Sequence, residues 1–313
     1  MKTLKTRILT IPNLLFTLLL AAVLTPQSRL AAVPGYGAKM KSPLVFLCVI
    51  VIIELAYLLR SGKNEEKLKV SSDITAFVFL LLLAWEVTTR KLDIAPRIFL
   101  PPPENVFNVF VEDWDFILQG WARSMYLLLT GFTLAIIAGV ILGLIVGWIP
   151  RLRRAVFPIS KAVSAVPSMI YVPYIVMLLP TFTSASIFVI FLGIFFPTFM
   201  NMINRVGTID HKIVDTARVL NAPLHSMLFR VILPYTLPRI INNLTVMLSV
   251  SVMTLTAAEM MGADRGMGYY VRKFSSEINY TKTIAGILFI ALVVSLLNWF
   301  VDLLKKKLIK WNY

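Results

Sequence analysis

Polar side chains interrupt two of the most apolar stretches of the sequence, and their chemistry suits solute passage better than catalysis. A carboxylate such as that of Glu259 is costly among apolar residues, so an acid at this position predicts a functional role. Proline bends a helix, and nearby hydroxyls can offer hydrogen bonds where the bend opens. We therefore expect six residues to line a path for solute: Ser164, Pro167, Ser168, Tyr171, Thr254 and Glu259.

Two of these residues also have a structural interpretation. Glu259 can lie at the outer membrane interface, where it would cap a helix or pair with Arg265 or Arg272. Tyr171 can equally belong to an aromatic belt at the interface. The sequence leaves both interpretations open for each residue.

Catalytic and metal chemistry find little support in the sequence. No His-Glu-x-x-His, Gly-x-Ser-x-Gly or paired intramembrane aspartate pattern occurs. The single cysteine, Cys48, lies in an apolar run, and the two histidines, His211 and His225, have neither cysteines nor clustered carboxylates beside them. We expect no catalytic residue, no metal site and no cofactor.

The elements that position these residues are predicted to be membrane helices. The chain has 313 residues, 58% of them hydrophobic, and a mean hydropathy of +0.79, which is more than a soluble domain of this size can bury. Windows of about 17 to 25 residues are almost free of charge, and ten-residue alternation is absent. The expected fold class is an all-α, polytopic bundle with spans at about 8–25, 43–59, 74–89, 121–148, 155–179, 184–203, 236–258 and 283–302.

The net charge of +15 indicates orientation in a membrane and not nucleic-acid binding, because Lys and Arg lie between the apolar segments. Basic residues concentrate in alternate connections, starting with the N-terminus, and acidic residues such as Glu112 and Asp264 fall in the others. The bias predicts that both termini are cytoplasmic. A cleaved signal peptide is the competing interpretation of residues 1–33.

Three regions are expected along the chain. A polar break at 61–72 separates the first two spans from the other six, so we assign 1–72 to an N-terminal two-helix extension with its linker. Residues 73–303 would form a six-helix core, and 304–313 a basic cytoplasmic tail. Gly139, Gly143 and Gly147 form a stripe of small residues, which predicts close packing against another helix, with a second subunit as one candidate.

The largest cytoplasmic loop, 204–235, has the pattern of a short amphipathic helix. Thr208 and Asp210 are good N-cap residues, and Ile213, Ala217 and Leu220 fall on one face.

The loop is expected to turn sharply after this helix. Asn221 can close it in the left-handed conformation, and Pro223 can occupy the first turn of a second short helix. Pro234 and Pro238 would then mark the return into the membrane. Such a bent pair of helices could transmit motion between a soluble partner and the membrane bundle.

At this loop the chain resembles the permeases of binding-protein-dependent ABC importers. Their signature is Glu-Ala-Ala, three residues, Gly, nine residues and Ile-x-Leu-Pro. Here Asp, Thr and Asn replace Glu, the first Ala and Gly at unchanged spacing; Asp keeps the carboxylate, and Asn tolerates positive φ. The coupling residues implied by the resemblance are Asp215, Thr216, Ala217, Asn221, Ile232, Leu233 and Pro234.

Further segments resemble the nitrate, sulfonate and taurine branch of these permeases. Leu100–Val106 is similar to the branch's Leu-Pro-x-Pro entry, and Ala258–Ala263 with Gly266–Tyr269 to its Ala-Glu-Met-x-Gly-Ala…Gly-x-Gly-Tyr segment. Ser164–Pro167 with Pro173 matches a proline-marked core helix. The resemblance covers about residues 74–302, in the family's order.

The resemblance implies a type I importer permease core in the cell inner membrane, preceded by two extra helices. It implies as partners a cytoplasmic ABC ATPase dimer, a second permease subunit in a homodimer or heterodimer, and an extracytoplasmic solute-binding protein. No Gly-x-x-x-x-Gly-Lys-[Ser/Thr] phosphate loop occurs in the sequence, so ATP hydrolysis would belong to another chain. The branch points to a small anion such as nitrate, bicarbonate, a sulfonate or taurine, although it also includes carriers of thiamine precursors.

An ion-coupled secondary transporter or channel is the alternative function. Glu54, Glu86 or Glu259 would then carry ion coupling inside the membrane. This alternative predicts transport without any ATPase, and it leaves the loop signature unexplained.

Overall fold

The computed structural model describes residues 10–25, 41–60, 65–92 and 99–308, and these residues form helices without any β-strand. A π-helical turn over Val87–Lys91 continues α3, and a 3-10 turn over Ser168–Tyr171 precedes α7. The helices are α1 (Ile11–Leu24), α2 (Leu44–Arg60), α3 (Glu65–Glu86), α4 (Pro103–Glu112), α5 (Trp114–Trp148), α6 (Pro150–Ser164), α7 (Val172–Leu178), α8 (Phe182–Gly207), α9 (His211–Val219), α10 (Leu224–Gly262), α11 (Met267–Ser276) and α12 (Tyr280–Leu308).

The six predicted core spans are confirmed as helices of membrane-spanning length and composition. Five are single helices, at Leu68–Lys91, Trp114–Trp148, Phe182–Gly207, Leu224–Gly262 and Tyr280–Lys307. The sixth is the pair Pro150–Ser164 and Ser168–Leu178, which bends by 75° at the break before Ser168. α1 and α2 are also apolar, but at 14 and 17 residues they are shorter than the roughly 20 residues that a straight crossing needs.

One compact unit comprises Met1–Phe116 with Lys273–Ala285. In its described part α1 packs along α3, around a core that includes Phe46 and Phe79. At the end of α3 the guanidinium of Arg90 donates to the carbonyl of Val23 at 2.8 Å and pairs with two buried carboxylates, those of Glu86 at 3.1 Å and of Glu104. The carboxylate of Glu86 therefore forms an ion pair with Arg90.

The other compact unit comprises Ile117–Arg272 with Gly286–Tyr313. Within it α8 packs most extensively against α10. Thr181 starts α8, since its hydroxyl accepts the N–H of Ser184 at 3.2 Å. The candidate coupling loop and the candidate solute path both lie in this unit. The boundaries expected at residues 72 and 303 rest on sequence composition and stay predictions.

The glycine stripe of α5 packs against α8 of the same chain. A Cβ at Gly143 would lie 2.6 Å from Cβ of Met202, and one at Gly147 would lie 2.8 Å from Cβ of Val206. Glycine permits this approach because it has no side chain between the two helices. The stripe is thus occupied by a neighbour within the subunit and is not available to a second subunit.

The predicted second short helix of the loop is wrong. The chain enters α10 at Leu224 and continues without a break to Gly262, so Pro234 and Pro238 lie inside a long helix. A π-helical turn over Met227–Ile232, in which the N–H of Leu233 reaches the carbonyl of Leu228, accommodates the missing donor of Pro234. Pro223 is the N-cap of α10, one position before the helix that it was expected to open.

Candidate functional site

The two ends of α9 are closed by local hydrogen bonds, as its sequence predicts. The carboxylate of Asp210 accepts the N–H of Lys212 at 3.0 Å at the N-terminus. At the other end Asn221 has a φ of 51°, its N–H reaches the carbonyl of Arg218 at 2.9 Å, and the N–H of Ala222 reaches that of Ala217 at 3.1 Å. This is a Schellman closure with Asn at the left-handed position, and it fixes the direction in which the chain leaves α9.

The inner face of α9 is anchored in a hydrophobic cluster. Val214 and Ala217 are buried there, together with Met202 and Val206 of α8 and Ile232 of α10. The cluster therefore ties α9 to two of the long helices. Two of the predicted coupling residues, Ala217 and Ile232, serve this packing and do not face outward.

The expected apolar face of α9 is partly wrong. Ile213 is only half-buried and Leu220 is 77% exposed, whereas Val214 takes the buried position beside Ala217. The reason is that the helix ends at Val219, so Leu220 is the C-cap residue just before Asn221 and is not part of the buried helical face. The side chain of Leu220 therefore lies on the exposed surface.

The outer face of α9 combines charge with exposed apolar side chains around one shallow hollow. Asp215 forms an exposed ion pair with Arg218 at 3.6 Å, and the hydroxyl of Thr216 donates to the carbonyl of Lys212 at 2.7 Å. Val219 is 81% exposed beside Leu220, and adjoining exposed apolar residues of this size are typical of contact surfaces. We call this set the outer face of α9: Lys212, Asp215, Thr216, Val219 and Leu220.

Two of the six path candidates contact each other. The hydroxyls of Ser168 and Thr254 lie 3.3 Å apart, where the 3-10 turn meets α10. Gly193 of α8 makes room for them, because a Cβ there would lie 2.7 Å from Oγ of Ser168. Pro167 is the N-cap of this turn, immediately before the bend.

Ser164 and Tyr171 are half-buried at the two ends of this bend. Tyr171 packs with an apolar cluster around Val172 and Ile175. Among the described residues, Ser168 and Thr254 are the only two of the six that a side-chain hydrogen bond joins.

Glu259 is fully buried and lies in a different environment. Its Oε1 accepts the hydroxyl of Ser124 at 2.5 Å, and its Oε2 accepts the N–H of Gly268 at 2.7 Å, in the first turn of α11. Gly266, with a φ of 137°, lets the backbone pass against the carboxylate. Of the interpretations that the sequence left open, helix capping describes these contacts, and a role in the solute path stays a prediction.

The guanidinium of Arg272 has contacts at the end of α10. It donates to the carbonyls of Met260 at 3.2 Å and Ala263 at 2.8 Å. A cation is favourable at the C-terminus of a helix, where carbonyl groups lack helical partners.

A polar pocket between α8 and α10 was not predicted from the sequence. Its signal was present, because polar residues recur at helical spacing within two otherwise apolar spans. Arg205 and Arg239 were counted only toward the positive charge of the cytoplasmic side, and the uncharged polar positions were given no role. The lining consists of Thr198, Asn201 and Arg205 from α8 and Arg239, Ile240, Asn243 and Met247 from α10.

Comparison with known proteins gives one family and several relatives. The family described as binding-protein-dependent transport system inner membrane component matches residues 115–310. The SsuC permease of Bacillus subtilis (strain 168), named for transport of aliphatic sulfonates, is 30% identical over 238 residues, which cover 74% of this chain and 85% of the relative.

Two further relatives are similar over comparable lengths. The taurine transport system permease protein TauC of Escherichia coli (strain K12) is 30% identical over 251 residues, covering 78% of this chain and 90% of the relative. The nitrate import permease protein NrtB of Leptolyngbya laminosa is 27% identical over 250 residues, covering 75% of this chain and 87% of the relative.

Proposed function

Since this chain belongs to the family of binding-protein-dependent transport system inner membrane components, we propose that it is the permease of an ATP-driven importer and that a separate ATPase docks on the outer face of α9. The observation that carries the proposal is the division of α9 into two faces. Val214 and Ala217 are anchored in the bundle, while Val219 and Leu220 are exposed.

This arrangement would allow α9 to transmit a movement of the ATPase to the long helices of the permease. The cluster around Ala217 also contains Leu144 of α5, Met202 of α8 and Ile232 of α10. Because packed interiors are dense and deform little, a displacement of α9 would shift these long helices together. Asp215 offers a carboxylate to a basic residue of the ATPase, and the exposed apolar pair offers area to bury.

The proposed assembly has two permease subunits, either two copies of this chain or one copy and a related subunit. A cytoplasmic pair of ATPases would bind them, and an extracytoplasmic protein would deliver the solute. With α9 in the cytoplasm, the positive-inside bias of the loops is obeyed and both chain termini are cytoplasmic.

The proposed solute is a small anion. Relatives that match most of this chain are named for aliphatic sulfonates, taurine and nitrate. These solutes share an oxyanion group of similar size, which makes a sulfonate or nitrate the first choice for an uptake assay.

Binding of the ATPase to the purified permease tests the proposal. The ABC ATPase of the importer should bind the wild-type permease in nanodiscs, and Leu220→Asp should weaken that binding at least tenfold. Ile278→Asp is the matched control, because it places the same charge at another exposed apolar residue. Equal binding by wild type and Leu220→Asp would exclude the outer face of α9 as the docking surface.

An uptake assay distinguishes the ATP-driven importer from the alternative, an ion-coupled secondary transporter or channel. Proteoliposomes that contain the permease without any ATPase should not accumulate the solute. Accumulation driven by an ion gradient alone would instead support the secondary transporter, in which Glu54, Glu86 or Glu259 carries the coupling.

A further inference from the structure

The polar pocket between α8 and α10 is built from one face of each helix. On α8 the polar positions Thr198, Asn201 and Arg205 follow at steps of three and four residues, and on α10 Arg239 and Asn243 are four residues apart. Arg205 lies close to the end of α8 at Gly207, whereas Thr198 lies roughly 10 Å farther into the span. The pocket therefore runs from the side of α9 into the apolar part of the bundle.

The polar side chains at its mouth have no side-chain partner in the part of the chain that the structure describes. Asn201, Arg205, Arg239 and Asn243 form no side-chain hydrogen bond or ion pair with any other residue in the described ranges. Polar groups in a membrane span are costly unless they face water, a solute or another protein. Four such groups around one pocket point to a ligand that supplies the missing partners.

The positive charge of the pocket favours a negatively charged ligand. Its lining holds two guanidinium groups and no carboxylate. A guanidinium presents its N–H groups in a planar fork that fits two oxygens of an oxyanion, and an asparagine amide adds further donors. The lining thus suits an anion with several oxygens and disfavours a cation.

The depth of the pocket limits where such an anion can sit. At its floor Ile240 and Met247 are buried, and the hydroxyl of Thr198 donates to the sulfur of Met247 at 3.8 Å. The enclosed space has room for about one water molecule. A polyatomic anion would therefore be held at the mouth, where Asn201, Arg239 and Asn243 are exposed and Arg205 is half-buried.

We propose that Arg205 and Arg239, with Asn201 and Asn243, bind the oxyanion group of the imported solute, a sulfonate or nitrate, at the cytoplasmic end of its path. This inference rests on the proposed function, since it assigns a solute site to that permease. The phosphate of a membrane lipid offers the same chemistry, so the test must distinguish the two sources.

Thiol modification tests the site without any transport. The full-length permease in maltoside detergent carries Cys48→Ser, which removes the only native thiol, and Asn243→Cys as the probe. An anionic sulfonatoethyl and a cationic trimethylammonioethyl methanethiosulfonate are compared at low ionic strength. The ratio of anionic to cationic reaction rates should fall about tenfold with Arg205→Gln or Arg239→Gln, because one charge roughly 6 Å away in water changes each rate about threefold in opposite directions, and about a hundredfold with both.

Protection by a probe anion identifies the ligand. Nitrate or methanesulfonate should slow modification of the probe cysteine, chloride at equal ionic strength should not, and the double glutamine variant should lose the protection. If phosphatidylglycerol nanodiscs abolish the nitrate effect that detergent preserves, the site belongs to lipid phosphate and the solute assignment is overturned.

Two controls complete the experiment. Met253→Cys places a thiol on an exposed part of α10 outside the pocket, so its rate ratio should not respond to either arginine. Asn201→Cys repeats the test from α8 in case Asn243→Cys does not fold. A rate ratio that ignores both arginines overturns the proposal, and it does so independently of whether the ATPase binds α9.

Discussion

The hydroxyl of Ser124 donates to Oε1 of Glu259 at 2.5 Å, and the same hydroxyl oxygen accepts the N–H of Met267 at 2.9 Å. Ser124 thereby joins α5 to the end of α10 and the start of α11. All three residues are buried, so the hydrogen bonds replace water that this site excludes. A carboxylate at the first turn of α11 also complements the positive end of that helix.

Removal of this hydroxyl should destabilise the bundle. Ser124→Ala leaves Glu259 with one donor fewer in a buried site, which should cost about 1–3 kcal/mol and lower the thermal unfolding midpoint in detergent. Ser295→Ala is the control, since the exposed hydroxyl of Ser295 donates only to the carbonyl of Ala291 in its own helix. Similar midpoints for both variants would contradict the structural role of Ser124.

Glu259→Gln should also lower the stability of the bundle. The two carboxylate oxygens accept the hydroxyl of Ser124 and the N–H of Gly268, and in glutamine one of these two positions becomes a donor NH₂ that cannot accept either hydrogen. Uptake and the amount of protein in the membrane should be measured together. A loss of uptake in proportion to the protein level supports capping, whereas a much larger loss of uptake supports the predicted place of Glu259 in the solute path.

The turn after α9 should tolerate glycine but not a β-branched residue at position 221. Asn221 has a φ of 51°, a conformation that is free for glycine but costs a β-branched residue more than about 1 kcal/mol. Asn221→Val should therefore lower the unfolding midpoint and the affinity for the ATPase, while Asn221→Gly should preserve both. If valine and glycine behave alike, the Schellman closure does not determine the direction of the chain here.

The two faces of α9 should respond differently to the same added bulk. Ala217→Leu forces a large side chain into a filled cluster and should cost about 1–3 kcal/mol of stability. Thr216→Leu adds the same side chain to the exposed neighbour, so it should leave the unfolding midpoint unchanged and alter only ATPase binding. Unfolding midpoints that fall equally would place both residues in the packed interior.

Close packing of α5 on α8 can be probed at Gly143. Gly143→Ala would bring a Cβ within 2.6 Å of Cβ of Met202 and 2.9 Å of the carbonyl oxygen of Phe199, so the helices must separate. Overpacking of this kind typically costs about 1–3 kcal/mol. Leu142→Ala changes the neighbouring exposed position and should have little effect on the unfolding midpoint. An unchanged midpoint for Gly143→Ala would mean that the helices are not in contact there.

Much of the fold could be predicted because membrane helices are specified locally. Backbone groups in hydrocarbon must bond within their own segment, so an uncharged run of sufficient length is enough to predict a span. The bend before Ser168 was marked by Pro167 in the same way, and the closure of α9 by Asn221 followed from the tolerance of that residue for positive φ.

Prediction was poorer where a residue's environment depends on another segment. The expected apolar face of α9 named Leu220 and missed Val214, because the helix ends at Val219, one residue before Leu220, and turns Val214 into the hydrophobic cluster. A second short helix was expected to open at Pro223 and to end before Pro234, but a π-helical turn accommodates Pro234 inside one longer helix. Neither the end of α9 nor the continuity of α10 can be predicted from hydrophobic periodicity alone.

The sequence by itself determined the class of protein, the order of the spans and the position of the loop with its signature. Tertiary structure decided which side chains meet: Ser124 with Glu259, Gly143 with Met202, and the lining of the pocket between α8 and α10. The physical reason is that a helix in lipid can be apolar on every face. Hydrophobicity then places the segment in the membrane without fixing its rotation, and only close packing and hydrogen bonds between helices select the face that each one turns inward.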